Sequence, residues 1–284
     1  MKPARRHLEE RFFGILMRAS VALIFGSLGL ILITILIRGL PALNWAMITQ
    51  APQGGYYLGK EGGVLNAIMG SLALAGGATL LSFLLGAAVA VYLHTYARES
   101  RWRDLARLSI DILWGIPSIV YGAFGFSVML FLGMRASLLG GIMALALLEL
   151  PIMIRTMDEV MGLIPEGLKE ASLALGATRF QMARSAIVRQ ALPGMITALL
   201  LGFGRGIGDA ASVLFTAGYT DRLPSSLFRP VASLPLAVFF QLGTPVPEVR
   251  QRAYASALIL TIIVLIISLA TRLLTRRMAE HVVR

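Results

Sequence analysis

Residues 164–195 read IPEGLKEASLALGATRFQMARSAIVRQALPGM, a polar interlude between two apolar runs. Pro165 suits the first turn of a helix, where a missing N–H costs nothing. Leu168, Ala171, Leu173, Ala174 and Leu175 follow with helical character, and Gly176 stands where a C-cap glycine ends such a piece. Thr178 can cap a second helix, along which Phe180, Ala183, Ile187 and Ala191 fall at helical spacing. The segment predicts two short amphipathic helices meeting at a glycine corner. Such an element cannot bury its own apolar face, so it wants a partner groove or a membrane surface.

The flanking sequence says which setting applies. Of the 284 residues, 57% are hydrophobic and only 14% charged, with a mean hydropathy of +0.76. A soluble domain of this size carries roughly 25% charged residues, so lipid is the solvent implied. A span needs about 20 mostly apolar residues. Six are predicted, near 17–38, 65–93, 109–133, 137–157, 194–217 and 254–275. This is an all-α membrane protein with residues 1–16 as a polar amino-terminal segment, 17–284 as the transmembrane domain and a polar loop at 158–193. The run from Ala19 to Ile37 exceeds the roughly 7–15 residues of a signal-peptide core and reads as a retained span.

In a soluble protein a net charge of +11 would suggest nucleic acid; here the basic residues lie between apolar runs and act as a topology signal. With the amino terminus inside, the inner segments collect 18 of the 26 lysines and arginines and the outer ones seven, with Arg205 inside a span. Both termini and the loop at 158–193 are therefore expected in the cytoplasm, the protein being multi-pass in the inner membrane. Two outside loops are long. One, near 39–64, is rich in glycine (Gly54, Gly55, Gly59, Gly62, Gly63); the other, near 218–253, is rich in proline. The second contains Leu234 to Leu242, too short to span and expected to form an interfacial or re-entrant helix. Cysteine is absent and the three histidines are far apart, which excludes disulfides, thiolate chemistry and the common metal-ligand spacings.

The polar segment resembles the EAA loop of bacterial ABC importer permeases, EAA-x-x-x-G followed by an apolar residue and LP. Here it stands as Glu170-Ala171-Ser172-x-x-x-Gly176, with Leu192-Pro193 beyond. The resemblance implies a coupling helix that docks on an ATPase subunit, with Glu170, Ala171, Ser172 and Gly176 at the contact. Other stretches are similar to phosphate permeases: GIPSIVYG (115–122), GGVLNAIMGSLAL (62–74), LPIMIRTMDEV (150–160), GRGIGDAASVLFTAG (204–218) and ASLPLAVFF (232–240). The LFTA ending of the fourth stretch favours a PstA-type subunit over its PstC-type partner. Two departures stand out: Asp158 and Asp209 occupy positions where the family has Glu, and Ser212 stands where the family has a proline.

What the resemblance implies is a type I importer permease that moves inorganic phosphate by alternating access. The implied partners are a homologous PstC-type permease, a PstB-type ATPase dimer, a periplasmic or lipid-anchored PstS-type phosphate-binding protein and the bilayer, without nucleic acid. ATP and magnesium would sit on the ATPase; no cofactor is expected on this chain. Arg205 and Asp209, four apart and so on one helical face, read as an intramembrane ion pair that lines the path or fixes packing. Arg155 and Asp158 either line an inner vestibule or snorkel to the interface. Glu149, beside Pro151, is a further candidate with no visible partner. Gly115, Pro117 and Gly122 would bend a span and admit close helix approach.

Enzyme signatures are missing: there is no GxSxG, HExxH or Walker sequence. A secondary transporter would need no coupling loop. A permease for another oxyanion (sulfate, molybdate, phosphonate) is the remaining alternative, because a separate binding protein selects the substrate.

Overall fold

The computed structural model describes residues 3–53, 61–97 and 100–279. Lys2, Gly54, Gly55, Gly59, Lys60, Arg98, His281 and Arg284 lie outside the described residues, as do the side chains of Arg5, Arg6, His7, Arg276 and Arg277. The helices are α1 (Pro3–Gly39), α2 (Trp45–Thr49), α3 (Leu65–Thr95), α4 (Arg101–Trp114), α5 (Ser118–Phe131) and α6 (Leu138–Gly162). They continue as α7 (Glu166–Ala174), α8 (Arg179–Met182), α9 (Val188–Ile207), α10 (Leu234–Leu242) and α11 (Pro247–Ala279). A two-residue antiparallel pairing of Pro52–Gln53 with Glu61–Gly62 closes the first long loop.

Helix starts follow side-chain chemistry. Asn44, Ser100 and Ser137 accept hydrogen bonds from the amides of Met47 (2.7 Å), Trp102 (3.2 Å) and Gly140 (3.2 Å), relieving orphan donors of the first turn.

The bundle is organised around α3 and α6. Ala67, Ser71, Ala75, Ala78, Ser82, Gly86 and Ala90 form a buried stripe of small residues along α3. In lipid the hydrophobic drive between helices is absent, so close backbone approach and interhelical hydrogen bonds carry the packing. Ser82 Oγ accordingly donates to the Ala146 carbonyl of α6 at 2.9 Å. Toward the end of the bundle that carries α7, the core is rich in methionine: Met153, Met157 and Met161 of α6 meet Met182, Ile187, Ala191 and Met195. In contrast, the apolar lengths of α1 and α11 are mostly exposed, as lipid-facing helices are.

Among the described residues, five helical stretches are long and apolar enough to cross a membrane, and α4 with α5 form a bent pair that makes a sixth if the two are one broken span. The span predicted at 109–133 is therefore not one helix. Its two parts meet at 100° across Gly115-Ile116-Pro117, because Pro117 lacks a donor and pushes the residue before it out of helical conformation. With 14 residues, α5 covers only about 21 Å of depth.

The span predicted at 194–217 is displaced. One helical stretch runs from Arg179 to Ile207, carrying a π turn at Ala183–Ile187, and then breaks. The second of the two predicted surface helices is thus the foot of a span: Ile187 and Ala191 are buried against α6. The helix predicted at 137–157 runs on through Pro151 to Gly162. Finally, the short helix expected as interfacial or re-entrant is α10, and it packs one face into the bundle. Leu234, Leu236 and Ala237 are fully buried, and the helix lies against α11 and α3 with Leu234 N–H bonded to Ser71 Oγ at 2.8 Å.

Candidate coupling and translocation sites

The Gly176 corner follows from local rules. Gly176 has φ +83°, its N–H donates to Leu173 O (2.9 Å) and the Ala177 N–H to Ser172 O (3.2 Å). That is a Schellman ending, which closes α7 with a left-handed residue. Two residues on, Thr178 and Gln181 form a reciprocal capping box at 3.2 and 2.8 Å. The turn leaves Leu175 89% exposed and Phe180 64% exposed, beside exposed Glu170 and Ala171. Ser172 is half-buried, its hydroxyl bonded to Leu168 O at 2.8 Å. An apolar tip with one carboxylate next to it suits a protein groove better than water.

One residue of α7 was not singled out by sequence. Lys169 is its sole buried residue, with Nζ 2.6 Å from His94 Nε2 and 3.1 Å from Glu166 Oε1. A charge inside an otherwise amphipathic helix reads as a solvated face; only the fold places His94 against it.

The second group surrounds the break in α9. Arg205 lies in the last turn, exposed, where a cation complements the carbonyl end of the helix. Asp209 lies beyond that end. Its Oδ2 accepts from Ser212 N (2.8 Å) and Ser212 Oγ (2.5 Å), so it holds the turn that follows. No hydrogen bond or ion pair joins Arg205 to Asp209 among the described residues. The predicted pair fails because four-residue spacing places two side chains together only while the helix continues, and this one ends at Ile207.

Glu149, the uncertain candidate, turns out to be central. It is fully buried midway along α6, and neither carboxylate oxygen has a hydrogen-bond partner among the described residues. It faces Thr79, with Arg205 and Asp209 in electrostatic reach. A Cβ on Gly206 would land on Glu149 Oε1, so that glycine makes the hollow for the carboxylate. Arg205, next to Gly206, therefore sits near the mid-depth of the bundle.

Arg155 and Asp158 diverge. Half-exposed Arg155 bonds Glu159 at 2.9 Å and lies 3.6 Å from Asp111. Asp158 is buried and held by Arg107 at 3.0 and 2.8 Å, through its two oxygens. Neither predicted role of the pair, vestibule lining or snorkelling, describes Asp158, whose partner is 51 residues away.

The elbow residues also separate. Pro117 makes the turn and Tyr121 secures it, its hydroxyl donating 2.8 Å to the Leu113 carbonyl at the end of α4, which also accepts from Ile116 N–H at 3.1 Å. Gly122 is where α5 meets the chain after the break: a Cβ there would stand 2.7 Å from Ala211 O and 2.8 Å from Ser212 O. Gly115 would meet only Ile112 O, at 3.4 Å, and is not required for close approach. Gly122→Ala should cost about 2 kcal/mol of stability, since rigid backbone must shift, whereas Gly115→Ala should cost little. Thermal unfolding of the two purified variants in detergent checks the contrast.

Known proteins match this arrangement. Residues 82–282 match the family model described as "Binding-protein-dependent transport system inner membrane component". The phosphate transport system permease protein PstA of Haemophilus influenzae is 35% identical over 86% of this chain and 85% of its own length. That of Yersinia pestis is 32% identical over 96% and 92%. In fold, the chain is similar to the inward-facing MetNI methionine ABC transporter, with a TM-score of 0.63 at 21% identity over 75% of this chain and 94% of that one. A bacterial alginate ABC transporter, solved in complex with a pentasaccharide-bound periplasmic protein, gives 0.62 at 13% identity over 100% of both chains. This chain, with its EAA-like corner, its elbow and its broken span, belongs to the family of binding-protein-dependent transport system inner membrane components, among the PstA-type permeases.

Proposed function

We propose that this chain is the PstA-type subunit of an ATP-driven importer that moves inorganic phosphate across the inner membrane. The observation that carries the reading is Arg205: a cation at mid-depth, at the broken end of α9, turned outward from the subunit. An arginine there would face hydrocarbon at high cost. A second permease subunit packed over it, leaving a polar path between the two, removes that cost and gives an anion a cation to pass. Broken helices at mid-depth are where transporters build such sites. The identity to PstA proteins across most of the chain supports phosphate as the anion.

In this reading a PstC-type subunit covers the Arg205 face, and a PstS-type protein delivers phosphate from outside. A PstB-type dimer, holding ATP and magnesium, docks at Leu175 and Phe180; this chain hydrolyses nothing itself. Both termini and α7 are cytoplasmic, as the basic residues argue. ATP-driven closure of the dimer moves α7 and switches the path from outward to inward access.

The test is uptake by the co-purified complex in proteoliposomes. Labelled phosphate should accumulate with internal ATP and external binding protein, and unlabelled sulfate or molybdate should not compete. Uptake of either in place of phosphate would install the alternative oxyanion reading, and uptake without ATP would overturn the importer reading.

A further inference from the structure

The polar contact that buries Lys169 continues past His94. Lysine has only protons to give, so His94 Nε2 is the acceptor and the ring proton sits on Nδ1. Nδ1 faces Asp158 Oδ1 at 3.9 Å. Asp158 in turn holds Arg107 of α4 through both oxygens, at 3.0 and 2.8 Å. Glu166, Lys169, His94, Asp158 and Arg107 thus form one chain of alternating partners through α7, α3, α6 and α4.

The chain's position matters more than its length. Lys169 is the sole buried residue of α7, so the helix hangs from the bundle by a charged link rather than an apolar core. At the far end, Arg107 belongs to the arm of the elbow. Tyr121 fastens that arm to α5, and Gly122 rests α5 on the carbonyls of Ala211 and Ser212, beside Asp209. A displacement of α7 therefore has a continuous, directional route to the broken end of α9.

We propose that Lys169, His94, Asp158 and Arg107 are positioning residues that transmit movement of α7 to the α4–α5 elbow and so set access to the path at Arg205. The proposal rests on the reading of α7 as the ATPase dock. It concerns neither the docking surface nor the transported anion. The end links, Lys169 to His94 and Arg107 to Asp158, are charge-assisted hydrogen bonds, which hold direction as well as distance, and the middle link from His94 to Asp158 is a 3.9 Å contact. The bland alternative is a static staple that only keeps α7 folded against the bundle.

The experiment uses the whole complex in proteoliposomes, comparing wild type with Lys169→Met and Arg107→Met. Each single variant should keep the ATPase bound and hydrolysing, while phosphate moved per ATP falls about tenfold. The double variant should be no worse than either single one, because both cut the same link. Unchanged phosphate per ATP overturns the proposal, and so does a loss that merely follows loss of the ATPase from the complex.

A second measurement does not depend on transport. Because the chain has no cysteine, spin labels can be placed through Phe131→Cys at the end of α5 and Phe25→Cys on α1, which carries no member of the link, both exposed. ATP should change their separation in wild type and not in Lys169→Met; the same change in both overturns the link. If wild type hydrolyses ATP but moves a different anion, the phosphate assignment fails, while the label distances still decide the link.

Discussion

Arg205→Gln leaves the subunit in the membrane and lowers phosphate uptake at least about 100-fold, the scale of losing a charged hydrogen-bond donor worth about 3 kcal/mol. The structure makes this a clean experiment. Arg205 is exposed in the isolated subunit and has no ion pair with Asp209, so its removal breaks no internal staple, although it withdraws the cation in electrostatic reach of buried Glu149. Glutamine keeps donors and most of the length while deleting the charge. Arg205→Lys should recover part of the uptake, since it restores charge without the planar fork that grips an oxyanion at two points. Initial rates in proteoliposomes, normalised to subunit content, provide the check. Normal rates with Arg205→Gln would remove the cation from the path and leave it a packing role.

Gly176→Val should weaken retention of the ATPase and cut uptake about tenfold. No atom lies within 4 Å of a Cβ placed on Gly176, so bulk clashes with nothing in this chain. The cost is conformational. At φ +83° an L-residue pays about 1–2 kcal/mol, and a β-branched one pays more. Valine would tend to open the Schellman ending and swing Leu175 and Phe180 out of register with a partner groove. Asparagine tolerates the left-handed region, so Gly176→Asn should stay close to wild type. ATPase recovered with the tagged subunit, measured beside uptake, ranks the variants. Equal damage from Val and Asn would show that side-chain volume at the dock, not backbone conformation, is what the glycine protects.

Much of the functional map was legible because its signals are local. Gly176 and Thr178 announce a helix end and a helix start within three residues, and both behave as their chemistry requires. Pro117 announces a disturbance in a span. It does not announce a 100° elbow, which depends on Tyr121 reaching back to Leu113 and on α5 settling over Ala211 and Ser212. The Arg205–Asp209 expectation failed for a related reason. Helical spacing is a sound rule only where the helix persists, and hydropathy continues smoothly through the break because the following segment is buried in protein, not lipid.

The sequence by itself determined that this chain lives in a membrane, roughly where it crosses, and that a polar corner at 164–195 awaits a partner. Those conclusions need only composition, period and capping chemistry, which act over a few residues. Tertiary structure alone decided that Lys169 is buried on His94, that Asp158 belongs to Arg107, that Glu149 sits in the hollow of Gly206, and that α10 packs one face into the bundle. The physical reason is that a buried polar group must find whatever partner the fold brings to it. These partners come from helices 51 to 75 residues away, beyond the reach of any local pattern.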